Sequence, residues 1–121
     1  MSMNLLFSTS TELIRIPADA VVFISADGNY SSIKMADGGE YILTLQLGQM
    51  EKKISEMVDD NDNRFIRIGK SLIVNHDYIT FLNPSRQKMI LSDGKTFRHE
   101  LSASKEALKA LKELIEKEIL K

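Results

Sequence analysis

The 121-residue chain has no cysteine and no tryptophan, and only two prolines and two histidines. Without cysteine there is no disulfide, no thiolate nucleophile and no cysteine-based zinc site. His76 and His99 are too few for a histidine-rich metal centre. No apolar run approaches the roughly 18 residues of a membrane span. The start, Met1-Ser2-Met3-Asn4-Leu5-Leu6-Phe7, lacks the basic beginning and long apolar body of a secretion signal. A cytoplasmic protein with no membrane partner is expected. Recognised catalytic patterns are missing too: no Gly-x-Ser-x-Gly, no Walker or Rossmann glycine loop, and no His-Glu-x-x-His. Ser71, His76 and Asp77 are the types of a hydrolytic triad, but they sit too close along one strand and turn to imply its geometry. The expectation is a protein that is not an enzyme and carries no cofactor or metal.

An apolar fraction of 43% and a charged fraction of 27% are those of an ordinary globular chain. The length suits one domain over residues 1–121, with no room for a second folded unit. A formal net charge of −1 argues weakly against a nucleic-acid partner, but the distribution along the chain argues otherwise. Residues 1–63 hold four Lys or Arg against ten Asp or Glu, residues 64–105 hold eight against three, and residues 106–121 hold four of each. A cationic middle segment is hidden inside a neutral protein.

Short β-type runs are predicted at 13–16, 21–24, 30–35 and 41–45. Pro17, Asp27-Gly28-Asn29 and Asp37-Gly38-Gly39 separate them, and the Asp-Gly pairs suit hairpins that need positive φ. In the run from Tyr30, the residues Ser31, Ile33 and Met35 share one face, so this strand is expected to be half buried. Between Gln46 and Val58 the period changes. Leu47, Met50, Ile54 and Met57 recur at spacings of three and four, the stripe of one amphipathic helix over the sheet. Asp59-Asp60-Asn61-Asp62-Asn63 lacks the Gly and the terminal Glu of a calcium loop and reads as the turn that ends that helix.

The cationic segment opens with Arg64 to Ile79. Phe65, Ile66, Ile68, Leu72, Ile73 and Val74 favour strand, and Gly69 breaks the run where Arg67, Lys70 and Ser71 collect. Cations and small donors on a turn held by strands suit phosphate oxygens or base edges. Further hairpin strands are predicted at 78–82, 88–91 and 96–101. A final helix from Ser104 has Ala107, Leu108, Leu111, Leu114, Ile115 and Ile119 on its apolar side and Ser104 as its cap.

These residues resemble the signature of the LytTR-type DNA-binding domain, the LytR/AgrA-like output domain of bacterial response regulators. In that family a Phe-x-Arg motif passes through a short polar turn to a Ser, an apolar pair and an Asn, then a Tyr-Ile. Here those places hold Phe65, Arg67, Ser71, Ile73, Val74, Asn75, Tyr78 and Ile79. The run Val22 to Tyr30 is similar to the family's apolar strand ending in an Asn-Tyr loop. Leu91-Ser92-Asp93-Gly94-Lys95 with Leu101-Ser102 is similar to its closing hairpin and last loop. The likeness covers about residues 12–115. It departs at Ser25, where an acid is common, at Gly69, where a His is frequent, and at Ala103, where an Arg often follows the Ser.

The resemblance implies an α+β fold, predominantly antiparallel and elongated, with one mid-chain helix and a C-terminal helix. It also implies transcription regulation by loops that enter successive major grooves. By position the first loop holds Gly28, Asn29, Tyr30 and Ser31, the second Gly69, Lys70 and Ser71, and the last Ser102, Ser104 and Lys105; Arg67, near the strand end beside the second loop, either contacts DNA or pairs with an acidic side chain. Expected partners are double-stranded DNA carrying tandem short elements and a regulatory protein supplying the input. A dimer on DNA is one arrangement among others. Family members commonly follow a receiver domain, so the chain is either a standalone regulator or an excised output domain. Phe65, Ile73 and Val74 are expected to be scaffold, with Asn75 and Tyr78 bracing the turn and strand. A non-catalytic protein-interaction module remains the alternative.

Overall fold

Two breaker sequences reverse the chain within its first half, and the strands between them pair antiparallel, with one register shift between Val21 and Phe23. β3 (Val21–Asp27) meets β4 (Tyr30–Met35) with Asp27 opposite Tyr30, and β4 meets β5 (Glu40–Leu43) with Lys34 opposite Glu40. At the first reversal Gly28 takes φ 63°, the first central position of a two-residue hairpin, which a residue bearing a Cβ adopts only with strain. β6 (Phe65–Ile68) and β7 (Leu72–Asn75) add to the free side of β3. The result is one five-stranded antiparallel sheet in the order β5-β4-β3-β7-β6. The computed structural model describes residues 3–119; Met1 and Ser2, the first residues of the start that lacks a secretion signal's features, lie outside the described residues.

The chain divides into two compact units, one ending at Asp77 and the other beginning at Tyr78. In the first, β1 (Asn4–Ser8) pairs with β2 (Leu13–Pro17) as a separate two-stranded ribbon, and a 3-10 turn, Ala18–Ala20, leads into the larger sheet. Sequence reasoning assigned no strand to β1, although its alternation drives Leu5 and Phe7 to 0% exposure. α1 (Leu47–Met57) lies on this core with Leu47, Met50 and Ile54 buried among Val21, Ile24, Ile33, Leu43 and Ile73. Each such aliphatic side chain contributes about 1.5–3 kcal/mol when taken out of water. Gln46 starts the helix, its N–H donating to Gln49 Oε1 at 2.8 Å, and Val58 ends it.

The second unit is a three-stranded antiparallel sheet, β8 (Ile79–Asn83), β9 (Lys88–Ser92) and β10 (Arg98–Ser102), with β9 central. α2 (Lys105–Ile119) packs against β8 and buries Leu108 and Leu111, while Met89 and Leu91 of β9 are fully buried. Leu114, expected on the buried stripe, is 40% exposed. The side chain of Ile119 lies outside the described residues. Strand β10 starts two residues later than its β propensity suggests, because Asp93 holds the preceding residues in a turn. Its Oδ1 accepts the N–H groups of Lys95 at 2.9 Å, Thr96 at 2.7 Å and Phe97 at 3.2 Å. The bond from the Thr96 hydroxyl, together with these backbone bonds, keeps the Asp93 carboxyl well below the usual carboxylate range. Among the described residues no helix is long and apolar enough to cross a membrane.

Candidate nucleic-acid interface

Antiparallel pairing decides which loops meet. Ser25 of β3 lies opposite Leu72 of β7, so the β3–β4 hairpin and the β6–β7 turn emerge at the same end of the sheet. The ladder continues past the strands: the Ala26 N–H donates to the Ser71 carbonyl at 2.9 Å and ties the two loops together. Asn29 and Tyr30 face solvent, Tyr30 at 50% exposure. Ser31, expected beside them, is 0% exposed and its hydroxyl donates to the Leu45 carbonyl at 2.7 Å. It shares the inward face of β4 with Ile33 and Met35, so its side chain fastens the loop's base.

In the second loop Gly69 adopts φ 61°, and Lys70 and Ser71 are exposed. Arg67 points back at its own turn. Its Nε donates to the Gly69 carbonyl at 2.9 Å, its Nη2 to the Lys70 carbonyl at 3.3 Å, and its Nη1 to Glu51 Oε1 of α1 at 2.9 Å. The guanidinium fork thus orders the loop from beneath and joins it to the helix. Lys70 is left as the outward cation.

In the second unit Ser102 ends β10 opposite Lys88, and the Ala103 N–H donates to the Gln87 carbonyl at 3.4 Å. Ser104 caps α2, its Oγ accepting the Ala107 N–H at 3.1 Å and its carbonyl the Leu108 N–H at 3.0 Å. Ser102 and Lys105 are exposed. At the same end of this sheet the β8–β9 turn presents Arg86, its N–H fixed by Asn83 Oδ1 at 3.1 Å and its side chain exposed. Sequence reasoning passed over Arg86; the signal was an arginine in a Pro-Ser turn inside the cationic segment.

Local pairing consumes much of that segment's charge. Arg64 pairs with Asp62 and Asp77, Arg67 with Glu51, and Lys88 and Arg98 with Glu100. Lys70, Arg86, Lys95 and Lys105 are exposed without an ion pair among the described residues. The trio of Ser71, His76 and Asp77 does not assemble: His76 lies 3.8 Å from the Asp77 carboxylate, while Ser71 stands at the opposite end of β7. Asn75 is fully buried, its Nδ2 donating to the Val21 carbonyl at 2.8 Å and its Oδ1 accepting the Asp77 N–H at 3.0 Å. Tyr78 packs edge-on against Phe97 with ring centroids 5.2 Å apart.

A family model described as the LytTr DNA-binding domain matches residues 11–116. The chain belongs to the LytTR family. The match runs through both units, and the β-rich architecture with one mid-chain and one C-terminal helix is the LytTR fold. Among solved structures the chain is similar to the LytTr DNA-binding domain of a methyl-accepting/DNA response regulator from Bacillus cereus. The TM-score is 0.60 and the identity 18%, over 94% of this chain and 95% of that one, a likeness that establishes the shared fold. No curated protein matches the chain.

Proposed function

We propose that this LytTR domain is a sequence-specific, double-stranded-DNA-binding transcriptional regulator whose loops enter successive major grooves. The observation that carries the DNA-binding part of this reading is the hydrogen-bonded pair of loops at one end of the five-stranded sheet, which presents Asn29, Tyr30, Lys70 and Ser71 together to one groove. Gly69 and the three bonds of Arg67 hold that surface in shape, so little order has to be gained on binding. Lys70 serves base acceptors, Ser71 backbone phosphate, and Tyr30 a base or sugar face. In the second unit Ser102, Lys105 and Arg86 supply a further phosphate-contacting surface, with Ser104 holding the start of α2. The whole chain works as one DNA-binding domain, and tandem short elements are its targets.

The deciding experiment is titration of the purified chain against a random duplex library at several salt concentrations. Enrichment of a short repeated element, with affinity falling steeply as salt rises, is the expected result. No enrichment and no salt dependence would replace this reading with that of a protein-interaction module.

A further inference from the structure

Between α1 and the sheet edge at β6 lies a cleft of about 260 Å³ that the DNA-binding reading leaves unused. Its volume is just below the roughly 300–1,000 Å³ typical of small-molecule sites, so only a small ligand fits. Ile54, Val58 and Phe65 contribute apolar walls. Glu51, Asp59, Asp60 and Asp62 contribute carboxylates. Asp62 is satisfied by Arg64, its Oδ1 accepting the Arg64 N–H at 2.9 Å, and Glu51 by Arg67. Asp59 and Asp60 are exposed and carry no ion pair among the described residues. A cleft with apolar walls and unbalanced negative charge among its lining residues complements a small amphipathic cation, an aryl or alkyl body ending in an ammonium or guanidinium.

We infer that the cleft between α1 and β6 is a binding site for a small amphipathic cation, and that its occupancy is coupled to the loop carrying Lys70. The coupling runs through Arg67, which lines the same cleft and ties Glu51 to the Gly69 and Lys70 carbonyls. A cation entering the slot faces Glu51 and competes with Arg67 for it. Occupancy and the braced loop are then alternative uses of one carboxylate, and each site weakens the other reciprocally. The coupling half rests on the DNA-binding reading; the site itself does not.

The test uses the whole chain, isotope-labelled, with phenethylammonium as probe and 3-phenylpropionate as a near-isosteric anion. Saturable amide shifts across residues 54–62 and 65–70 with the cation, and none with the anion, are expected. The double variant Asp59→Asn, Asp60→Asn removes two exposed charges without touching the Asp59 carbonyl that accepts the Asp62 N–H at 2.9 Å, and it should lose those shifts. Equal shifts from both probes, shifts retained in the double variant, or no saturable shift at millimolar probe would overturn the site. With a bound duplex, phenethylammonium should lower DNA affinity for the parent chain and leave that of the double variant unchanged. Saturable shifts without any effect on DNA affinity would overturn the coupling. Absence of DNA binding before any probe is added would instead overturn the functional reading and leave the site standing.

Discussion

Asn75 offers the sharpest test of how the first unit is held. Its side chain is 0% exposed and bridges residues 54 apart in sequence, Asn75 Nδ2 donating to the Val21 carbonyl at the start of β3. Asn75→Ala strands that carbonyl in a fully buried setting, a loss of about 1–3 kcal/mol. The Asp77 N–H, near exposed surface, turns to water and costs about 0.5–1 kcal/mol. The sum is about 1.5–4 kcal/mol. Domains of this size have total stabilities of about 5–15 kcal/mol. With about 4 °C per kcal/mol, the melting temperature should fall by about 10 °C in circular dichroism scans. DNA affinity below the transition should not change, because Asn75 ends β7 far from the turn that begins it. Asn75→Asp, which keeps an acceptor but buries a charge without the Nδ2 donor, should be worse than Asn75→Ala at neutral pH and recover on mild acidification. A melting temperature for Asn75→Ala within about 2 °C of the parent would refute the bracing role. Loss of DNA binding at unchanged stability would move Asn75 to the interface.

Lys70→Ala should cost about 1–3 kcal/mol on the preferred site and flatten the preference at one base position, as expected of a base contact. A uniform loss over all sequences, with a salt slope smaller by about one unit, would reassign Lys70 to phosphate. Phe65→Ala should cost about 2 kcal/mol in urea unfolding, less than the 3–5 kcal/mol for a fully buried ring, because Phe65 packs on the core but stays partly exposed as a cleft wall. The lowered Asp93 carboxyl predicts the sign of an acid effect. Its contribution is complete above the ordinary Asp value of about 3.9 and is lost as pH falls through the depressed folded value. Asp93→Asn should flatten the fall of stability on the acid side, and an unaltered slope in acid titration would contradict it.

Elements built from local pattern were legible in advance. α1 runs from Leu47 to Met57 because the spacing of Leu47, Met50 and Ile54 matches a helical period, and β4 occupies its expected residues because turn signals bound it on both sides. Ser31 was expected in the DNA-facing loop, yet the strand face it shares with Ile33 and Met35 is the buried one. A two-residue alternation close to the chain start, Leu5 and Phe7, was too short a signal for β1. The role of Arg67 depended on Glu51, which lies 16 residues upstream on another element. No local reading distinguishes an arginine turned toward its own loop from one offered to a partner. Burial patterns are local consequences of sequence; the partner of a long charged side chain is a tertiary one.

The bond between Ala26 and Ser71 sets a length as well as a contact. Neighbouring strands stand about 4.8 Å apart. Successive major grooves on one side of a duplex are about 34 Å apart. Loops rooted on adjacent strands and laced together cannot straddle that distance, so under the proposed function the pair holding Tyr30 and Lys70 addresses a single short stretch of base pairs. A second groove can be met only by another part of the protein or by another copy. Shortening a tandem target to one element should therefore leave the bases read by this pair unchanged while removing the rest of the affinity, and altered spacing between elements should never change which bases the pair prefers.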